Sequence, residues 1–295
     1  MRHVVLVALR DGAPRRSHWG RNLIGRSIGA GALRIAFTAR RRRLNPAKTG
    51  LPVETVAIAS GSGARLAGWF LPGESRRGAV LLLHGVTDTR MNLVKRMRFL
   101  NRAGFAILAI DFQAHGMSEG RTITLGARES LDARAALAWL RARLPDEKIG
   151  VIAISLGGAA TLIGDEPFAA DALALESVYP DIDRATRKRF RRFVGPLAES
   201  FTRAALACGE TAFGIDRRKL RPVDAIGGVS APIFILSGAR DPWTPIEEAR
   251  ELFACAQPPK ILWEVAGAGH VDLYDFAPDE YRRRMVAFLT ESISR

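Results

Sequence analysis

Ser155 ends the apolar run Lys148-Ile149-Gly150-Val151-Ile152-Ala153-Ile154 and is followed at once by Leu156-Gly157-Gly158-Ala159-Ala160. A serine on a sharp strand-to-helix turn carries its Oγ above the sheet edge and tolerates only small neighbours two positions away, here Ala153 and Gly157. Such a hydroxyl can attack a carbonyl carbon if a histidine takes its proton and a carboxylate orients the histidine. By itself the string reads equally well as a buried N-cap serine. The partners decide, and chain order is informative: an oxyanion loop must precede the serine, and an acid and then a histidine must follow it.

Each partner has a candidate in that order. The buried-strand pattern Ala79–Leu83 ends in His84-Gly85-Val86, where a glycine lets the chain turn and the backbone N–H of Val86 can join that of Leu156 as a two-donor oxyanion hole. His84 itself reads as a structural histidine of that loop. Asp241 follows the apolar run Pro232–Ser237 in a glycine-containing loop, and could equally be a turn former. Glu176, at the end of Leu173-Ala174-Leu175, is the rival acid. Of the five histidines, His3, His18, His84 and His115 lie before the serine, which leaves His270, in the small-residue loop Ala266-Gly267-Ala268-Gly269, as the base.

From about Leu51 to the C-terminus the chain resembles the alpha/beta-hydrolase superfamily of serine esterases and S33/S9-like peptidases, in particular bacterial members of unassigned substrate. Asp111-Phe112-Gln113-Ala114-His115-Gly116-Met117-Ser118 is similar to the Asp-x-x-x-His-Gly-x-Ser loop that follows the fourth strand in many members, where the histidine is structural. The resemblance carries the catalytic roles to Ser155, Asp241 and His270 and the oxyanion role to Val86 and Leu156. Its one departure is Ala153, where glycine is usual.

These residues need a scaffold that brings strand ends together. Short apolar runs alternating with helical patterns predict an α/β fold, a mostly parallel eight-stranded sheet with helices on both faces. Strands are expected near 53–59, 65–71, 79–83, 105–110, 148–154, 172–176, 232–237 and 260–265. Helices are expected at 91–103, 126–143, 156–163, 246–255 and 278–292. Between about 179 and 222 a helical insertion interrupts the alternation and is expected to form a cap. Its Phe190 and Phe193 could line an acyl pocket or merely pack the cap onto the core, and its arginine run reads as a solvated face. One hydrolase domain, 51–295, then acts on a small-molecule acyl ester or thioester. Peptidase or acyltransferase chemistry on the same triad stays open, as does a non-catalytic binding module of the same fold.

Charge separates the first fifty residues from the rest. Residues 1–50 hold twelve Lys or Arg and one acid, so +11 of the formal net charge of +14 resides there, and a nucleic-acid partner for the whole chain is not implied. Leu23, Ile24, Ile28, Ala32, Ile35 and Ala36 recur at helical spacing among arginines, which predicts a basic amphipathic helix able to contact an anionic membrane surface. Val4–Leu9 is short for a signal peptide, and longer apolar stretches are broken by arginine, so a cytoplasmic location, with or without peripheral membrane contact, is expected. Cys208 and Cys255 have no metal-ligand spacing, and neither a metal nor another cofactor is expected.

Overall fold

The computed structural model describes residues 38–294. The predicted amphipathic helix at 23–36 lies outside those residues. In chain order the strands are β1 (Arg40–Arg41), β2 (Glu54–Ala59), β3 (Arg65–Leu71), β4 (Ala79–Leu83), β5 (Ala106–Ile110), β6 (His115–Gly116), β7 (Ile149–Ile154), β8 (Ala172–Glu176), β9 (Ile233–Gly238) and β10 (Lys260–Val265). The helices are α1 (Val94–Arg102), α2 (Glu129–Arg143), α3 (Leu156–Leu162), α4 (Ile182–Val194), α5 (Ala198–Phe213), α6 (Pro222–Ala225), α7 (Ile246–Cys255), α8 (Leu273–Phe276) and α9 (Pro278–Ile293).

Eight strands form one sheet in the order β10-β9-β8-β7-β4-β5-β3-β2, parallel from β10 through β5 and antiparallel only at β3 and β2. The central strands are buried on both faces, which is why their sequences are continuous apolar runs rather than alternating ones. Successive residues nevertheless serve different layers. Ala79, Leu81 and Leu83 of β4 face a core shared with α2 and α7, whereas Val80 and Leu82 face one shared with α1 and α9.

Parallel pairing places the ends of β4, β7, β9 and β10 at one edge of the sheet, and the loops leaving that edge carry Val86, Ser155, Asp241 and His270. Open α/β sheets take their ligands at this carboxyl edge.

The insertion after β8 is a helical hairpin, α4 and α5, turned through Gly195 at φ +56°. Asp181 caps α4 by accepting from Arg184 N (2.7 Å). Its arginine run is only partly a solvated face: Arg184 reaches Glu251 and Lys188 reaches Glu248, both on α7, so part of the run fastens the cap to the body.

The described part of the basic N-terminal segment lies against the body built on the eight-stranded sheet. β1 pairs in parallel with β6, Thr49 is fully buried, and Arg98 Nη2 donates to Thr49 O (2.7 Å). The packed unit therefore begins before Leu51 and includes Thr38. Among the described residues no helix is long and apolar enough to cross a membrane.

Candidate active site

Ser155 sits between β7 and α3 at φ +49°, ψ −106°, a conformation that costs a non-glycine residue of order 1–3 kcal/mol. The turn is pinned from both sides. Ser155 N donates to Glu176 O (2.8 Å), and a Cβ on Gly157 would stand 2.8 Å from Leu83 O, so only glycine lets α3 lie this close to β4. Ala153 is fully buried beside Leu83 and Leu175, and its methyl is accommodated. Among the described residues Ser155 Oγ makes no hydrogen bond, and it does not cap α3.

Asp241 and His270 meet because their loops touch. A Cβ on Gly238 would stand 2.5 Å from Gly269 O and 2.6 Å from Ala268 O, and Arg240 N donates to Ala268 O (2.8 Å). The small residues before His270 thus serve the approach of the two loops. His270 Nδ1 then lies 2.7 Å from Asp241 Oδ2. The other carboxylate oxygen, Oδ1, accepts from Trp243 N (2.8 Å) and Thr244 N (3.0 Å), and Thr244 Oγ1 donates to Oδ2 (2.6 Å). Turn former and histidine partner are therefore one residue using its two oxygens. Burial alone would raise the Asp241 pKa, but His270 and the Thr244 donors hold it below the usual carboxylate range.

His270 is over a third exposed, and its Nε2, like Ser155 Oγ, has no partner among the described residues.

The loop after β4 presents Val86 with a free N–H, and Leu156 at the first turn of α3 has another, each without a backbone acceptor among the described residues. His84, fully buried, orients the first of these: its Nδ1 lies 2.7 Å from Gly85 O, the carbonyl of the same peptide that carries the Val86 N–H, and its Nε2 accepts from Phe112 N (3.1 Å). His115 Nε2 lies 2.9 Å from Val86 O, so it holds the next carbonyl. Both histidines are structural, as read from sequence.

Burial, helped by nearby His115, lowers the His84 pKa from 6.5 to about 3. A histidine that must stay neutral when folded contributes full stability above pH 6.5 and progressively less as pH falls toward 3. Urea melts at pH 7 and pH 5 should therefore show wild type losing about 2 kcal/mol more than His84→Gln across that interval. Parallel losses in the two proteins would remove His84 from the acid limb.

Sequence reading missed the anchors of this loop. Arg90, fully buried over the Trp69 ring (4.5 Å), forms an ion pair with Asp111, which also accepts from Arg90 N and Met117 N at 2.8 Å each. Asp88 stands in the same loop, its Oδ2 3.2 Å from where a Cβ on Gly85 would be, a point itself 3.8 Å from Ser155 Cβ. Burial and the Asp272 carboxylate raise its pKa against the pull of Arg96, His115 and His270.

Glu176, the rival acid, is committed elsewhere. Its carboxylate is buried against Arg96 (2.8 Å) and the Tyr281 hydroxyl, and Arg96 reaches on to Asp272 (2.8 Å), two residues beyond His270. Glu176 therefore braces the histidine loop through Arg96. Of the two cap phenylalanines, Phe190 packs on Phe201 within the cap (6.0 Å between ring centres), and Phe193 is 54% exposed. Arg189 and Arg192 instead lie over Trp243 of the acid loop, at 6.0 and 5.5 Å. Among the described residues no group of three or more His, Cys, Asp or Glu could hold a metal ion.

Known proteins resemble this chain in sequence, and a solved structure resembles it in fold. The chain is 26% identical to the alpha/beta hydrolase domain-containing protein WAV2 of Arabidopsis thaliana, over 83% of this chain and 81% of that one. It is 26% identical to the lysophosphatidylserine lipase ABHD12 of Macaca fascicularis, over 62% of this chain and 46% of the lipase. The solved structure of the Pyrococcus furiosus esterase Pf2001 superposes with a TM-score of 0.70 at 25% identity, covering 86% of this chain and 98% of the esterase. A profile of the alpha/beta hydrolase family matches residues 80–284, from β4 into α9, and with the sheet order and loop positions above it makes this chain a member of that family.

Proposed function

We propose that the protein is a serine hydrolase that cleaves a carboxylic ester or thioester through an acyl-enzyme. The observation that carries this reading is Ser155 itself: a residue held in a strained backbone conformation, with an Oγ that bonds nothing among the described residues, at the sheet edge where the Asp241–His270 pair also lies. Ser155 Oγ attacks the acyl carbon while His270 Nε2 takes its proton. Asp241 holds Nδ1 protonated and stabilises the imidazolium. The carbonyl oxygen becomes an oxyanion facing the Val86 and Leu156 N–H groups, each such donor contributing about 3 kcal/mol in comparable sites. His270 then returns the proton to the departing alkoxide or thiolate, and water repeats the sequence on the acyl-serine.

Esters and thioesters are favoured over amides because their leaving groups need less protonation. The esterase and lipase among the similar proteins support ester cleavage. The test is a side-by-side panel of short p-nitrophenyl esters, acyl thioesters and aminoacyl p-nitroanilides at equal enzyme concentration. Turnover of the first two with little of the third is expected. Cleavage of the anilides alone would replace the esterase reading with a peptidase one, and turnover of none would favour a binding module.

A further inference from the structure

We propose that β1, the two-residue strand Arg40–Arg41, is a positioning element for the oxyanion loop, a role that rests on the serine-hydrolase reading above. Three contacts converge on the free donors. Arg40 N donates to Ala114 O (2.6 Å) and Arg42 N to Gly116 O (2.7 Å), clasping the residues on either side of His115, whose Nε2 lies 2.9 Å from Val86 O. Ala39 packs on the small cluster of Ala114, Ile123 and Leu156, against which Val86 also lies. The Arg40 guanidinium is half-buried within electrostatic reach of Asp88, at the far end of the same loop.

The clasped segment needs holding. Ala114 has φ +61° and Gly116 φ +47°, and a Cβ on Gly116 would stand 2.0 Å from the Asp111 carboxylate. Among the described residues β6 has no strand partner other than β1, so β1 supplies the ladder that fixes this turn. The N–H of Arg40 and that of Arg42 point toward β6, and the N–H of Arg41 between them points away, since successive residues of a strand face opposite sides.

This alternation provides the test, in the full-length chain. Arg40→Pro removes the hydrogen bond to Ala114 O, whereas Arg41→Pro removes a donor that the ladder does not use. Rates on a p-nitrophenyl ester are expressed per site titrated by a fluorophosphonate, so that misfolded protein is not counted. A trifluoromethyl ketone, whose serine adduct places an oxyanion in the hole, reads donor alignment directly. Arg40→Pro is expected to lower kcat at least tenfold with KM within about twofold, and to weaken the trifluoromethyl ketone by the same factor; one whole donor is worth about 10²–10³. Arg41→Pro should stay within about twofold of wild type. Ala39→Glu, which sets a carboxylate against the Leu156 cluster, should repeat the parallel loss and serves if Arg40→Pro does not fold. Normal kcat per titrated site in Arg40→Pro or Ala39→Glu, or a lower kcat with unchanged ketone affinity, overturns the proposal. A wild-type chain that the fluorophosphonate does not titrate overturns the hydrolase reading, and this role with it.

Discussion

Ser155→Ala should lower kcat for short p-nitrophenyl esters by about 10⁶, the scale seen when the nucleophile of a serine hydrolase is removed. The fold should hardly notice. Ser155 Oγ bonds nothing among the described residues, the turn is fixed by Ser155 N on Glu176 O, and alanine adds no atom near Leu83. The thermal midpoint is therefore expected to shift by less than what ~1 kcal/mol would produce. Turnover near wild type in a protein that melts normally would show that another residue attacks the substrate.

Asp241→Asn is expected to lower kcat by about 10⁴. The mechanism is visible in the hydrogen bonds. Trp243 N and Thr244 N will continue to claim the Oδ1 oxygen, which turns the new amide NH₂ toward His270 Nδ1. The imidazole must then carry its proton on Nε2, where it can no longer accept one from Ser155. Glu176→Gln should do the reverse. It removes one of the two carboxylate partners of the buried Arg96, the other being Asp272, which costs up to about 3 kcal/mol of stability, and leaves kcat within about tenfold because Glu176 acts on the histidine loop only through Arg96. Measuring both variants on one ester, with melts alongside, ranks the two acids. A larger loss of kcat in Glu176→Gln would reverse the assignment.

The two acids illustrate how far the sequence could be read. Strands were legible because those buried on both faces must be continuous apolar runs, and all eight lie within about two residues of their expected positions. Chain order admitted both Asp241 and Glu176 and the resemblance favoured Asp241, but its double use as turn former and histidine partner depends on which oxygen faces which donor. Glu176 looked like a rival because its long-range partner is invisible locally: Arg96 lies 80 positions away in sequence and Asp272 nearly 100 in the other direction. β1 was less legible still. It is two arginines in a basic run, it offers no apolar alternation, and its contribution is made by backbone N–H groups that composition cannot report. Phe190 and Phe193 left two readings open, an acyl wall or packing of the cap, because their neighbours are set only by how the hairpin folds: Phe190 packs on Phe201 inside the hairpin and Phe193 is largely exposed.

Covalent capture of the nucleophile tests the central claim most directly. Full-length protein treated with a fluorophosphonate and digested should give one phosphonylated peptide, spanning Ser155, with labelling suppressed by an ester substrate and abolished in Ser155→Ala. A protein that hydrolyses esters while carrying the adduct on another serine, or no adduct at all, would contradict the account.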